Sequence, residues 1–180
     1  MSQYEKCTWE ELEPLLNKEI LPDDSTTIEE KQYMMDLILK KKPKVIVETG
    51  THRGLTTCYL AFAGLEVGAT VYTYDPYEWG AAGNFDKFDW LPIVYRQIRG
   101  QEMTQDKIDF AFIDGFHEKV EVLAELDVLL PKLNKGAPVL FHDVMGANIH
   151  CDVLGALDER GLKYKIIKTQ NGIAQYEHKN

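Results

Sequence analysis

Hydrophobic positions fall at helical spacing over the first forty residues and gather in short runs after that. Thr8-Trp9-Glu10-Glu11 has the form of a capping box, and Leu12, Leu15, Leu16 and Ile20 follow on one helical face. Leu21-Pro22-Asp23-Asp24 breaks the pattern. Thr27-Ile28-Glu29-Glu30 restarts it, Met34, Leu37 and Ile38 carry the next apolar stripe, and Pro43 ends it. From Val45 the period changes. Val45-Ile46-Val47, Thr70 to Tyr74, Ile93 to Ile98, Ile108 to Ile113 and Pro138 to Phe141 read as strands. Between them lie helical stretches marked by Leu55, Cys58, Tyr59 and Phe62, and by Val120, Leu123, Leu126, Leu130 and Leu133. Pro76 to Trp90 reads as a long loop with a short helix at most. A helix from about Ile149 to Arg160 closes at Gly161. Lys163 to Lys168 and Ile173 to Tyr176 pair as a hairpin around the Asn171-Gly172 turn signal.

Strand and helix alternate, then an antiparallel hairpin closes the chain. This order predicts an α/β fold: a Rossmann-like, doubly wound, mostly parallel seven-stranded sheet behind two N-terminal helices. The expected organisation is one domain over residues 1–180, with the helices in 1–43 and the core in 44–180.

Composition narrows the function classes. The chain has 180 residues, 44% hydrophobic and 27% charged, with a formal net charge of -9. A surface this acidic repels nucleic-acid phosphates and anionic lipid, so neither is expected as a partner. The basic run Lys40-Lys41-Lys42 with Lys44 falls where a helix should end, and cations there complement its open carbonyls. No apolar run approaches the ~20 residues of a membrane span. The polar N-terminus lacks a signal-peptide layout, so a cytoplasmic location is expected. Cys7, Cys58 and Cys151 are scattered and read as reduced thiols, with Cys58 in the core.

Ligand crevices in such sheets lie beyond the carboxyl ends of the strands. Four strand ends here deliver acidic or imidazole groups: Glu48, Asp75, Asp114 with His117 close behind, and His142-Asp143. Gly50 permits a sharp bend, and Gly54 lets the next helix start close to a ligand or merely makes a tight strand–helix joint. Asp75 is suited to accept both hydroxyls of a ribose. The turn Glu48-x-Gly50-x-x-x-Gly54 matches neither the dinucleotide glycine pattern nor the phosphate loop.

Val45 to Gly54, followed by Tyr72-Thr73-Tyr74-Asp75-Pro76-Tyr77, resembles the first two motifs of class I S-adenosylmethionine (SAM)-dependent methyltransferases. Phe112 to Glu118 and Val139 to Val144 resemble the later motifs of one branch, the small O-methyltransferases, several of them metal-dependent. The likeness runs from about Lys44 to Tyr176. It implies a transferase that moves a methyl group from SAM to a hydroxyl of a small-molecule acceptor. It implies that Glu48, Gly50, Thr51, His52 and Gly54 surround the methionine part of SAM, that Asp75 binds ribose, and that the stretch Arg99-Gly100-Gln101 lies near adenine, with Gln101 as the cofactor contact. Asp114 would face both SAM and the reaction centre.

By the same resemblance Asp114, His142 and Asp143 are candidate ligands for a divalent metal, magnesium or manganese; His142 tolerates manganese, iron or zinc better than magnesium. The alternative is a hydrogen-bond network without metal. His117 is the candidate general base, or else a helix-capping or ligand-orienting group. Phe116 stands where the branch usually has a second acidic residue. Tyr77, Trp79, Phe85, Phe88 and Trp90 would stack on adenine or on a planar acceptor, or pack the loop. A nicotinamide oxidoreductase lacks its glycine pattern here. A SAM-binding module without catalysis and a hydroxylase-like relative stay open. With little chain left for a lid, a homodimer that completes the site is a further expectation.

Overall fold

The computed structural model describes residues 8–20, 26–145 and 152–179. Helices α1 (Trp9–Glu19) and α2 (Ile28–Lys41) come first. They are followed by β1 (Val45–Thr49), α3 (Leu55–Val67), β2 (Thr70–Tyr74), α4 (Ala81–Lys87) and β3 (Ile93–Arg96). Then come β4 (Phe110–Ile113), α5 (Lys119–Leu129), β5 (Pro138–Phe141), α6 (Val153–Glu159), β6 (Tyr164–Ile167) and β7 (Ile173–Glu177). The seven strands form one sheet in the order β3-β2-β1-β4-β5-β7-β6. All neighbours are parallel except the pairs made by β7, which is antiparallel to both β5 and β6. Chain order reverses between β1 and β4, and that switch point is where a crevice opens.

The strands alternate their side chains between two cores, as the period of two requires. Ile46, Phe110, Phe112 and Leu140 enter the core shared with α1, α2 and α3. Val47, Ala111, Ile113, Val139 and Phe141 enter the one shared with α5 and α6. Each fully buried Leu or Phe contributes about 1.5–3 kcal/mol. Every residue of α3 from Leu55 to Gly64 is buried, because the sheet covers one side and the N-terminal helices cover the other. The N-terminal helices are therefore structural partners of α3.

The expected capping box forms, the Thr8 N–H donating to Glu11 at 2.9 Å, and α2 starts with a second one, the Thr27 N–H donating to Glu30 at 2.8 Å. Lys42 caps α2 in the left-handed region, and Lys41 pairs with Glu177 at 3.0 Å. Several boundaries differ from the sequence expectation. The third strand stops at Arg96, and Ile108 makes only an isolated bridge to Leu133 ahead of β4. The buried stripe of α5 is Val122, Glu125, Leu126 and Leu129, whereas Val120 is 70% exposed. Val120 lies one residue past the helix start, off the face that meets the sheet. The hairpin connection spans residues 168–172, longer than a two-residue Asn-Gly turn; Gly172 keeps the positive φ (79°). The start of the expected sixth helix, Ile149 to Cys151, lies outside the described residues, as do Cys7 and the Leu21 to Asp24 break. Cys58 is fully buried, and burial raises its thiol pKa.

Candidate active site

The turn after β1 runs under the carboxyl ends of β2 and β4. The Gly50 N–H donates to the Tyr74 carbonyl at 2.9 Å, and the Asp114 N–H to that of Thr49 at 2.9 Å. Gly50 has φ 87°, and a Cβ built on it would lie 2.1 Å from the Asp114 carbonyl oxygen. Only glycine fits there, because strand ends β1 and β4 touch through it. Gly54 meets a side chain and not backbone. Its φ is 84°, and a Cβ would meet the Phe85 ring at 2.4 Å, so the glycine makes room for an aromatic side chain and not for a ligand.

Asp75 is nearly buried at the end of β2. Its Oδ2 accepts the His52 N–H at 2.8 Å and its Oδ1 the Tyr77 N–H at 2.9 Å. Each oxygen keeps a further lone pair, so the carboxylate is fixed in place and still able to accept hydroxyl donors. His52 pays for this contact with a positive φ of 48°; Asp143 is also left-handed, at 57°. Strained non-glycine residues of this kind concentrate at functional sites.

At the other strand ends four side chains meet. Donor atoms of Asp114, His117, His142 and Asp143 all lie within 4.8 Å of one another. His142 Nδ1 is 2.8 Å from Asp114 Oδ1 and 3.4 Å from Asp143 Oδ1. His117 Nε2 is 3.5 Å from Asp114 Oδ1 and 3.7 Å from Asp143 Oδ2, and this buried nitrogen makes no hydrogen bond. Two donors bound to one ion at ~2.1 Å stand about 3.0–3.4 Å apart. The four donors lie close enough together to hold a divalent cation, with the 2.8 Å His142–Asp114 contact made as a hydrogen bond, and the His117 nitrogen faces the same place.

The far side of His142 is held by α2. Its Nε2 lies 3.1 Å from Glu30 Oε2, and both residues are fully buried. Thr26 Oγ1 donates to Asp114 Oδ2 at 3.4 Å. Burial opposes charge on the His142 ring, but Asp114, Glu30 and Asp143 outweigh it and push its pKa up to about 10. Burial likewise opposes the Glu30 carboxylate. Hydrogen bonds from His142, Thr169 and Thr27 bring it down to about 2. Asp143 is raised by burial, with the charges of Asp114 and Glu30 adding to the effect. His117 is raised by Asp114 and Asp143 against its burial.

A cavity of about 490 Å³ joins these groups, within the ~300–1,000 Å³ usual for small-molecule sites. Gly50, Thr51, His52 and Asp75 line one part of it, and Asp114, Phe116, His117 and Asp143 another. Other predicted residues sit elsewhere. Glu48 is fully buried behind the turn and accepts from the Thr57 and Thr73 hydroxyls, tying β1 to α3 and β2. Gln101 gives its amide to Glu121, and the neighbouring Gly100 lines the cavity instead. His142 lies behind Asp114 and is absent from the lining. The loop aromatics divide: Tyr77 and Trp79 line the cavity and are 54% and 51% exposed, while Phe85, Phe88 and Trp90 pack into the core.

Three residues of the site have no counterpart in the sequence reading. Glu30 and Thr26 carried only a helix-start signal. Glu125 lines the cavity from α5, accepts from Thr49 Oγ1 at 3.2 Å, and is pushed up to about 7 by burial. Its signal was available: an acidic residue inside the apolar stripe Val122, Leu126, Leu129.

A family profile described as a methyltransferase domain matches residues 47–144. No curated protein matches the chain by sequence. Among solved structures, a candidate O-methyltransferase from Klebsiella pneumoniae aligns with a TM-score of 0.77 at 17% identity, covering 93% of this chain and 90% of the other. An O-methyltransferase from Bacillus cereus, crystallised with SAH, gives 0.73 at 18% identity over 94% and 90%. The O-methyltransferase TomG from Streptomyces achromogenes, involved in tomaymycin synthesis and crystallised with SAM, gives 0.73 at 16% over 92% and 89%.

Proposed function

The chain belongs to the methyltransferase-domain family, and on that premise we propose that it is a SAM-dependent O-methyltransferase acting on a hydroxyl of a small molecule. One observation carries the reading: Gly50, Asp75 and Asp114, from three separate strand ends, open onto a single cavity of cofactor size. Asp75 accepts the ribose hydroxyls. Gly50, Thr51 and His52 surround the methionine part, with Glu48 and Gly54 supporting the turn from behind. Gly100, not Gln101, borders the adenine. Half-exposed Tyr77 and Trp79 form the rim that an acceptor, or a second copy of the chain in a homodimer, would cover. Among the described residues no helix is long and apolar enough to cross a membrane.

SAM supplies a methyl group on a sulfonium that is already a strong electrophile, so the protein mainly aligns the nucleophile and excludes water. Asp114, His142 and Asp143 would hold a divalent ion, which would supply a lowered pKa to a bound hydroxyl. His117 Nε2, buried and without a hydrogen bond, takes the acceptor proton. Phe116 gives this end an apolar wall. The test is methyl transfer from labelled SAM to a panel of small hydroxyl compounds, with and without metal. His142→Ala and Asp143→Ala should each abolish the metal-stimulated rate. Turnover of both variants in the presence of chelator that is unchanged from that of metal-supplied wild type excludes the metal role.

A further inference from the structure

Glu30 makes more bonds than a helix cap needs. Its Oε2 accepts the Thr27 N–H at 2.8 Å and faces His142 Nε2 at 3.1 Å. Its Oε1 accepts the Thr169 hydroxyl and the Asn171 N–H, the latter at 3.3 Å. The capping box requires only the first of these. The others come from the end of β5 and from the hairpin connection, each more than a hundred residues along the chain. A fully buried carboxylate is costly unless all its lone pairs are used, and here they are. The fully buried His142 ring is gripped from two sides, by Glu30 at Nε2 and by Asp114 at Nδ1, with Phe112 against it at 5.8 Å between centroids. Flipping the ring would turn carbon toward both carboxylates.

We propose that Glu30 is a positioning residue: by accepting the His142 Nε2–H it fixes the ring with Nδ1, which donates to Asp114 in the metal-free protein, toward Asp114 and Asp143, so that an ion displacing the Nδ1 proton meets nitrogen and the centre takes a nitrogen-accepting transition ion in preference to magnesium. The inference rests on the metal part of the proposed function. Ligating histidines usually hand their second ring N–H to a carboxylate in this way, which orients the ring and raises its basicity. Magnesium prefers an all-oxygen shell and gives up water reluctantly, whereas imidazole suits manganese, iron, cobalt and zinc. A histidine locked with nitrogen toward the ion thus discriminates where a carboxylate would not.

The test uses full-length, chelator-stripped protein and metal chloride alone, followed by calorimetry, with no cofactor or acceptor. Wild type should bind Mn²⁺ or Zn²⁺ at least about tenfold more tightly than Mg²⁺. Glu30→Gln should weaken Mn²⁺ binding about 10–100-fold and leave Mg²⁺ almost unchanged. His142→Asp should reverse the preference, and its Mn²⁺ spin-echo spectrum should lose a coordinated-nitrogen coupling that wild type shows. Thr169→Val removes a different Glu30 bond and should keep the wild-type metal order. Glu30→Gln binding Mn²⁺ like wild type overturns the inference, as does an equal loss for Thr169→Val, which would make the effect one of general packing. Wild type that binds no metal overturns the inference and the metal part of the proposed function together. SAM binding in the same buffer then shows whether the cofactor part stands.

Discussion

At the Asp75 end of the cavity, backbone does most of the holding: the Gly50 turn, the left-handed His52 and two main-chain N–H groups fix one carboxylate. At the Asp114 end, side chains hold one another, and Glu30 from α2 and Thr26 just ahead of that helix complete the arrangement. The first end is specified within a few residues of each strand. The second requires the N-terminal helices to dock before its charges are compensated. One consequence is that damage at the first end should act through the turn itself, and damage at the second through long-range contacts.

Substitution at the turn breaks this comparison hardest. Gly50→Ala places a Cβ against the Asp114 backbone, which cannot move aside, and adds the cost of a positive φ. A loss of roughly 3 kcal/mol or more in urea unfolding is expected, at the upper end for point mutants, together with loss of SAM binding. Both ends should fail at once, because the same turn separates β1 from β4.

Glu125, near the floor between the two ends, gives an effect of pH. Its folded-state pKa of about 7 lies above the ordinary 4.5. The unfolded chain releases this proton above pH 4.5 while the folded protein keeps it. Stability from this group is therefore complete below about 4.5 and is lost as pH climbs through 7. The loss amounts to up to about 3 kcal/mol at 1.4 kcal/mol per unit. Glu125→Gln should flatten the decline between pH 5 and 8 in thermal or urea unfolding. An unchanged slope would remove Glu125 as its source.

The smallest change is Gly54→Ala. The Cβ meets only the edge of the Phe85 side chain, which can swing away. We expect a loss on the order of 1–2 kcal/mol, mostly from the positive φ, with SAM affinity within about threefold of wild type. A large loss of affinity would return Gly54 to the ligand-binding role that the sequence first assigned to it.

Much of the fold was legible because its signals are local. A capping box, five short β-branched or aromatic runs, and a closing hairpin gave the alternation of elements and the mostly parallel sheet. The polar residues at strand ends were legible for the same reason: a parallel sheet turns sequence position into spatial position. Glu30 was not, since its pattern is fully explained by a helix start and nothing local says that Thr169, Asn171 and His142 will meet it. Within the stretch Arg99-Gly100-Gln101, Gly100 lines the cavity while the short 3-10 turn Gly100–Glu102 points the Gln101 amide toward Glu121. His142 stands beside Asp114 and Asp143, but its position behind Asp114 depends on α2, which the strand pattern does not report.

The central claim is that the cavity takes SAM with Asp75 on the ribose, and calorimetric titration of SAM into wild type and Asp75→Ala tests it most directly. Wild type should bind one SAM per chain, and the variant about 100-fold more weakly, since each of two hydroxyl bonds to a carboxylate is worth roughly 1.5 kcal/mol. No heat from wild type with SAM, equal affinity in the two proteins, or binding of NADH in place of SAM would contradict the account.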